Sequence, residues 1–534
     1  MRFDAPATGH DDPTCGNEGL NDRMSTKYLI RNASISTFWR SFGIVSGAVL
    51  DAVILARFGL GRETDALFAS LAIPMLITSA LELQVPKILI PVITRCTEDE
   101  GEEAACELLR ILITTFAVIL GATVLGLSLF AHLLIRLQAP GFQAGALQLG
   151  TRLFLVLLWL TFFQGLAPIL QSFLFSRHRY LVPSLGRLIT TLPAIIFVSL
   201  YHARLGIYAA AMGLILGGMV QLTLLSITAR SHGLRFGLSW RPRDPRVYEI
   251  LKNFRHPLLG HGMSESKVFV ENFLASLLGG GNLSILRYAT RIIEAISGVL
   301  LGGIVTSTLP LISVYASEKK FGEMKKSVLD AIRLIVFLAL PISCWLIFTG
   351  KPMIVLLYER GRFSGADAAH TALLMALLTP YVIFGRLIGI TQTPFYARLD
   401  TKTPLLSVII FFGIYATAIA LLSRTLGIYG FAIASSFASV MTAVTMSALL
   451  HRAFGPLGWK DLKKFAWRMT IVMGLTIFAF AIGHTIGGRF LSESLAAKLI
   501  RFLVPTALGF TSFLAASFGF RLLGRHHLAA LVTR

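Results

Sequence analysis

Apolar residues dominate the chain in long runs that are separated by short polar breaks. Runs of this length exceed the roughly 20 residues that a helix needs to cross a bilayer, and backbone in lipid must satisfy its own hydrogen bonds. The pattern therefore predicts an all-α polytopic membrane protein with about fourteen transmembrane helices. The predicted spans are residues 33–56, 64–94, 108–131, 146–175, 182–201, 207–228, 256–278, 285–312, 328–349, 367–394, 405–422, 428–450, 467–487 and 499–520.

Short strings in the first half return at a nearly constant distance in the second half. Leu-Gly-Ile-Tyr at 205–208 recurs at 426–429, Pro183 corresponds to Pro404, and Ile-Pro-Val-Ile at 90–93 corresponds to Leu-Pro-Leu-Ile at 309–312. Gly141-Phe142 corresponds to the Gly-Arg-Phe string at 361–363 in the same register. Because the repeat covers six spans, both copies cross the membrane in the same orientation, which is typical of secondary transporters with parallel repeats.

The repeat divides the chain into five predicted parts. These are a cytoplasmic N-terminal segment, 1–32; an N-lobe of spans one to six, 33–228; a basic cytoplasmic linker, 229–255; a C-lobe of spans seven to twelve, 256–451; and spans thirteen and fourteen with the C-terminus, 452–534. The polar N-terminus has no signal-peptide pattern, and Met24 is an alternative start.

Composition supports this architecture. Of 534 residues, 54% are hydrophobic and only 14% are charged, against roughly 25% charged in a soluble domain. The net charge of +21 is concentrated in alternate loops, which predicts cytoplasmic N- and C-termini by the positive-inside rule rather than nucleic-acid binding. The cysteines form no CxxC motif, so free thiols are expected and neither a metal site nor a disulfide is indicated; they are Cys15, Cys96, Cys106 and Cys344.

Ionisable residues within the spans are the candidates for a binding site, because charges at bilayer depth normally face a cavity or one another. Spans seven and eight contain Glu265, Lys267, Glu271, Arg287, Arg291 and Glu294. Counting outward from the glycines of the hairpin at 279–281, Glu271 should reach the two arginines and Lys267 should reach Glu294. Either these pairs only fix the hairpin, or one arginine stays available for an anionic head group.

Other charged residues divide into cavity candidates and residues near span ends. The further cavity candidates are Arg40, Asp51, Glu82, Lys87 and Arg386. Five arginines lie close enough to predicted span ends to extend to the interface, and we expect no role for them in the cavity: Arg110, Arg152, Arg187, Arg333 and Arg501.

Enzyme motifs are missing from the sequence. There is no P-loop, HExxH or GxSxG string, so we expect a non-enzymatic transporter without cofactors, driven by an ion gradient or the membrane potential. Asp51, Glu265 and Glu294 are candidate proton or cation carriers.

Several longer strings occur in a fixed order along the chain. A stretch within 279–404 includes LRYATRIIEAISGVLLGGIVTSTLPLIS, FLALPISCWLIFTGKPMIVLLYERGRFSGAD and FYARLDTKTP. ILARFGLGRETDALFASLAIP at 54–74 and APGF at 139–142 precede it. These ordered motifs, most strongly those within 279–404, resemble those of the MurJ (MviN) lipid II flippase family, within the multidrug/oligosaccharidyl-lipid/polysaccharide exporter superfamily.

The resemblance implies two lobes that rock around a central cationic cavity for the pyrophosphate and sugar-peptide of lipid II, with a groove at spans thirteen and fourteen for the polyprenyl tail. It also implies a bacterial inner membrane, a polyprenyl-pyrophosphate glycolipid and membrane lipids as partners, and association with cell-wall synthesis proteins. Transferred by position, the family's cavity residues are Asp51, Glu82, Arg291 and Glu294, while a neighbouring acidic position is Thr290.

Three cavity arginines of the family pattern are replaced here, by Ile44, Leu50 and Thr78. Arg40, Lys87 and Arg287 are possible compensating cations at other positions. We therefore expect a divergent lipid-linked glycan flippase, with lipid II as the leading substrate. The alternatives are another polyprenyl-linked oligosaccharide, a cation-coupled drug antiporter, and a scaffold whose charges are all mutually paired.

Overall fold

The computed structural model describes residue 39, residues 42–241, 244–398, 400–456, 459–490 and 494–520, and the single residues 492 and 522. Sixteen helices, α1 to α16, account for most of this part of the chain. They are 42–58, Arg62–Glu100, Glu102–Leu129, Ala131–Gln138, Ala144–Ser176, Leu181–Ser184, Gly186–Leu205, Tyr208–Ser231, Pro245–Ser276, Asn282–Ser317, Phe321–Tyr358, Gly365–Ala397, Lys402–Leu426, Tyr429–Phe454, Trp459–Gly488 and Leu495–Gly519.

Thirteen of the predicted spans overlap a long helix, and the first, 33–56, overlaps α1 in its described residues. Within the described residues, twelve helices are long and apolar enough to cross a membrane, which confirms the all-α membrane fold. The other two predicted spans correspond to α1 and α9. The total of fourteen spans stays a prediction, because the described part of α1 is short and α9 carries several charges.

The helices pack into two groups. The first helix group, α1 to α8, is held by mutual contacts of α2, α3 and α5, by the contact of α5 with α8, and by the pairing of α7 with α8. The second helix group, α10 to α14, is centred on α12. Helices α15 and α16 pair with each other and lie against α11.

Helix α9 contributes to both helix groups. It begins at Asp244, whose carboxylate accepts a hydrogen bond from the Arg246 N–H, with Pro245 in the first turn. Residues 245–255, which the sequence placed in the linker, are therefore the first turns of this helix, since an Asp cap followed by Pro is a strong helix start. Phe254 lies in the core of the first helix group, edge to face with Phe116.

The linker before α9 packs along α3. Leu234 is buried in the core of the first helix group, and the Ser239 N–H donates to the Thr114 hydroxyl. We call the end of the bundle that carries residues 232–244 the linker end. The loops at 59–61, 139–143, 277–281 and 359–364 lie at the opposite end, because the long helices between them cross the bundle alternately.

Candidate functional site: a polar cavity between the helix groups

The two helix groups are joined at the end opposite the linker by a carboxylate. Asp65, in the first turn of α2, accepts hydrogen bonds from the Gly281 N–H at 2.5 Å, the Ser284 N–H at 2.8 Å and the Ser284 hydroxyl at 2.5 Å. Gly281 precedes α10 with φ +90, a conformation that favours glycine. Asp65 thus satisfies amide groups that α10 itself leaves open and complements the helix dipole.

Two loops complete this closed end. The Gly141 N–H donates to the Ser276 hydroxyl at the end of α9, and a side chain at position 141 would collide with the Ser276 main chain. The Arg362 N–H donates to the Ala56 carbonyl of α1 at 3.1 Å, where Gly361 allows the close approach. Gly141 and Gly361 occupy equivalent positions in the sequence repeat. Gly141 packs against the end of α9 and Gly361 against the end of α1, and these two helices are also equivalent in the repeat.

A cavity of about 290 Å³ lies below this closed end. Helices α1, α2, α5, α7, α8 and α10 line it. Its charged residues are Asp51, Glu82, Arg187 and Arg291. Its uncharged polar residues include Thr78, Ser79, Gln164, Gln171, Thr190, Thr191 and Gln221. Three of the predicted cavity residues, Asp51, Glu82 and Arg291, are therefore brought together.

Asp51 and Arg291 form an ion pair across the two helix groups. The Arg291 Nη1 lies 2.5 Å from the Asp51 Oδ1, and the Arg291 guanidinium stacks 5.2 Å from the centre of the Phe68 ring. The Asp51 side chain is 8% exposed and that of Arg291 is 36% exposed. Arg291 therefore keeps part of its guanidinium exposed to the cavity, while Nη1 is paired with the Asp51 carboxylate.

Arg187 lines the cavity, which contradicts the expectation that it extends to the interface. It stands on α7 and lies across Gly43 and Gly47 of α1, where neither residue has a side chain to exclude it. Its guanidinium makes no hydrogen bond or ion pair with any described residue. The spacing of the two glycines, one helical turn apart, is the sequence signal that indicates a close neighbour on this face.

Glutamine amides supply neutral hydrogen-bonding groups in the same cavity. Gln164 and Gln171 come from α5 and Gln221 comes from α8. None of the three side chains bonds to another described residue, and the ends of Gln171 and Gln221 lie beside Gly186, next to Arg187. Amides can donate to and accept from hydroxyl and peptide groups, so the cavity combines anion-binding and neutral polar groups.

Three further charged residues of spans seven and eight, Lys267, Glu271 and Arg287, form a second cluster outside this cavity. Glu271 accepts from Arg287 at 3.0 Å and from the Tyr415 hydroxyl at 3.0 Å, and lies 3.4 Å from the Lys267 Nζ. Arg287 also donates to Asn272 Oδ1 at 2.6 Å. Glu271 is 3% exposed, so this cluster has the geometry of a buried network in which one carboxylate is shared by two cations.

The cluster confirms one predicted pairing and overturns two. Glu271 reaches Arg287, but not Arg291, which Asp51 holds from the other helix group. Lys267 pairs with Glu271 on its own helix rather than with Glu294, because the i,i+4 spacing keeps them adjacent. The Lys267 ammonium also lies 4.2 Å from the centre of the Tyr381 ring, a cation–π contact.

Three other candidates lie apart from the cavity. Glu294 is exposed and makes no ion pair with a described residue, and the Arg386 Nε donates to the Ser297 hydroxyl at 2.9 Å. Lys87 is exposed on α2 and does not line the cavity, so the compensating role considered for it is not supported. Arg40 lies outside the described residues. Of the replaced family positions, Leu50 and Thr78 line the cavity.

An apolar cavity of about 1070 Å³ lies between α11, α12, α14 and α15. Val336, Leu340, Met473 and Ile477 are among its lining residues. His451 and Arg452, at the linker end of α14, border it. Its size and apolar walls suit a hydrocarbon chain rather than a polar ligand.

Comparisons with known proteins agree on one family. A sequence profile described as "Lipid II flippase MurJ" matches residues 54–517. A relative from Buchnera aphidicola subsp. Acyrthosiphon pisum (strain APS), named probable lipid II flippase MurJ, is 27% identical over 371 residues, or 68% of this chain and 72% of its own.

Solved structures share the fold. One described as lipid II flippase MurJ in an inward closed conformation superposes with a TM-score of 0.76 at 21% identity, covering 91% of this chain and 98% of its own. An inward-facing multidrug resistance transporter of the MATE family superposes with a TM-score of 0.68 at 16% identity, covering 78% and 95%. Because the family profile spans most of the sequence, the chain belongs to the MurJ lipid II flippase family, whose members are multi-pass membrane proteins.

Proposed function

We propose that this protein moves lipid II, the undecaprenyl-pyrophosphate-linked precursor of peptidoglycan, from the cytoplasmic to the outer leaflet of the bacterial inner membrane. The observation that carries the proposal is the polar cavity between the helix groups, where a partly open Arg291 lies among hydroxyl and amide side chains. A guanidinium binds phosphate oxygens through paired, charge-assisted hydrogen bonds. Family membership supports lipid II as the substrate.

The substrate has three chemically different parts, and the protein offers a matching surface for each. The pyrophosphate would lie at the arginines, and the adjoining sugar would bond to the glutamine, serine and threonine side chains, because a cavity of about 290 Å³ does not hold the whole sugar-peptide. The polyprenyl tail would occupy the apolar cavity beside α15, since a hydrocarbon chain in a polar cavity would leave the polar lining unsatisfied.

Transport would proceed by alternating access. The Asp65, Gly141 and Gly361 contacts hold the end opposite the linker closed, and they must separate for release at that end. We place the linker end and both termini in the cytoplasm, following the distribution of basic loops, and treat the two helix groups as lobes of a parallel repeat. We further propose that transport needs no enzymatic step and draws on an ion gradient or the membrane potential.

The experiment that tests this function is complementation. A bacterium depleted of its own lipid II flippase would express this protein, and survival and outer-leaflet lipid II would be measured, with Arg291→Ala as the inactive control. Rescue by the wild-type protein alone supports the proposal. Failure to rescue at a verified membrane level counts against lipid II and favours another polyprenyl-linked oligosaccharide.

A further inference from the structure

The cavity contains two arginines in different electrostatic states. Arg291 is neutralised on one side by the ion pair with Asp51. Arg187 has no ion pair or hydrogen bond with any described residue, although it lines the same cavity. A guanidinium without a hydrogen-bonded partner at membrane depth is costly, and the Glu82 and Asp51 carboxylates act on Arg187 only electrostatically, so its N–H groups are available to an anionic ligand.

The position of Arg187 is fixed by the packing of α1 against α7. A Cβ at position 47 would lie 3.4 Å from the Arg187 Nη2, so the guanidinium is level with Gly47 of α1. Beside it, the Ser46 and Thr191 hydroxyls are hydrogen-bonded at 2.5 Å. The arginine is therefore held against the α1 backbone and oriented before any ligand binds.

The same packing places Arg187 close to the Asp51–Arg291 pair. Asp51 follows Gly47 by one helical turn on α1, and residues at this spacing are neighbours on a helix face. The Asp51 carboxylate interacts electrostatically with both Arg187 and Arg291. Two guanidiniums from opposite helix groups thus flank one carboxylate, and the space around that carboxylate is the cavity.

We propose that Arg187 is the second cation of a diphosphate site. In this site a diphosphate contacts Arg187 and Arg291 together, within the cavity space around the Asp51 carboxylate. This inference rests on the proposed function and adds to it a residue from α7. Its chemical basis is that two guanidiniums can each form a paired contact with one of two linked phosphates. A monophosphate reaches only one of them.

The site therefore predicts selectivity for diphosphate over monophosphate, and this selectivity depends on Arg187. The probes are farnesyl diphosphate, farnesyl monophosphate and inorganic pyrophosphate, titrated against the purified full-length protein by calorimetry in detergent. The variants are Arg187→Ala, Arg187→Lys and, as a matched control, Arg152→Ala, which removes an exposed arginine of α5 that does not line the cavity.

We expect Arg187→Ala to weaken farnesyl diphosphate binding by about 10- to 100-fold, the range for losing one charge-assisted contact, and to remove most of the preference for the diphosphate over the monophosphate. Arg187→Lys should recover part of the diphosphate affinity, because lysine retains the positive charge but lacks the planar pair of N–H donors of a guanidinium. Arg152→Ala should bind like the wild type. Stronger binding of farnesyl diphosphate than of inorganic pyrophosphate would identify a lipid-linked diphosphate as the ligand.

The outcomes separate this inference from the proposed function. Binding of farnesyl diphosphate that is equal in the wild type and in a folded Arg187→Ala protein overturns the role of Arg187 and leaves the proposed function standing. Equal wild-type affinity for the diphosphate and the monophosphate also overturns it. No diphosphate binding by the wild type counts against both. Thermal unfolding of each variant verifies that a lost affinity is not lost structure.

Discussion

Arg291 and Asp51 lie 240 residues apart in the sequence, and their charged groups meet at 2.5 Å. The pair joins α10 to α1 and so connects the two helix groups within the cavity itself. A substrate anion that binds Arg291 must compete with Asp51, so the carboxylate limits how tightly the empty cavity attracts anions.

Replacement of Arg291 by Ala should abolish transport and also lower stability, because the buried Asp51 carboxylate loses its ion-pair partner. Loss of one member of a buried pair costs about 3–5 kcal/mol in soluble proteins. The double variant Arg291→Ala/Asp51→Asn should recover most of the thermal stability in detergent but none of the transport. Transport by a well-expressed Arg291→Ala protein would contradict the binding role.

Glu271→Gln should reduce thermal stability with a smaller effect on transport, because Glu271 is the carboxylate that pairs with both Lys267 and Arg287, away from the cavity. We expect a loss of about 3–5 kcal/mol. The matched control, Tyr415→Phe, removes one hydrogen bond to the same carboxylate and should cost about 1 kcal/mol. A large transport defect at unchanged stability would assign the cluster a direct part in transport.

Asp65→Asn should loosen the closed end, because an amide is a weaker acceptor for the Gly281 and Ser284 N–H groups and removes the charge opposite the α10 dipole. A single cysteine at Leu67, in a background where the native cysteines are serine, reports this opening by its reaction with a membrane-impermeant maleimide. We expect faster labelling than with Asp65 intact. Equal rates would show that the carboxylate does not control this end.

The start of α9 should show a pH-dependent stability. Arg246 holds the pKa of Asp244 below its ordinary value of 3.8, chiefly through a side-chain hydrogen bond and further through its backbone N–H. The ionised carboxylate makes its full contribution to the free energy of unfolding above pH 3.8, the pKa in the unfolded chain. This contribution is lost as the pH falls through the lower pKa of the folded protein. Unfolding of wild type and Asp244→Asn should therefore differ by a constant amount from pH 7 to 5, and the difference should shrink below pH 4. A pH-independent difference would exclude this linkage.

Much of the helix layout follows from the sequence, because a membrane imposes the same length and apolarity on every span. The local pairing of Glu271 with Arg287 also follows, since the two residues stand at similar distances from the hairpin glycines. The Asp51–Arg291 pair does not, because counting along a hairpin carries no information about which distant helix faces it.

The position of Arg187 along its predicted membrane span is not enough to predict where its side chain lies. Its place near a predicted span end permits the side chain to extend to the interface, but depth does not say which face of α7 it occupies. That face is decided by α1, where Gly43 and Gly47 leave room for a long side chain. Asp65 was missed for a similar reason: the amide groups it satisfies belong to the backbone, which the sequence does not distinguish.

Helix α9 is a single continuous helix shared between the two helix groups. Phe254 is fixed in the core of the first helix group, and Glu271, five turns on, is tied to Arg287 and Tyr415 of the second. Any rotation of one group against the other must therefore appear as curvature of α9. The curvature has a natural place between these anchors, where Pro257 removes a backbone hydrogen bond and Gly260 and Gly262 leave open space. The bending stiffness of α9 therefore limits how far the two helix groups can rotate before the contacts of Phe254 or those of Glu271 break.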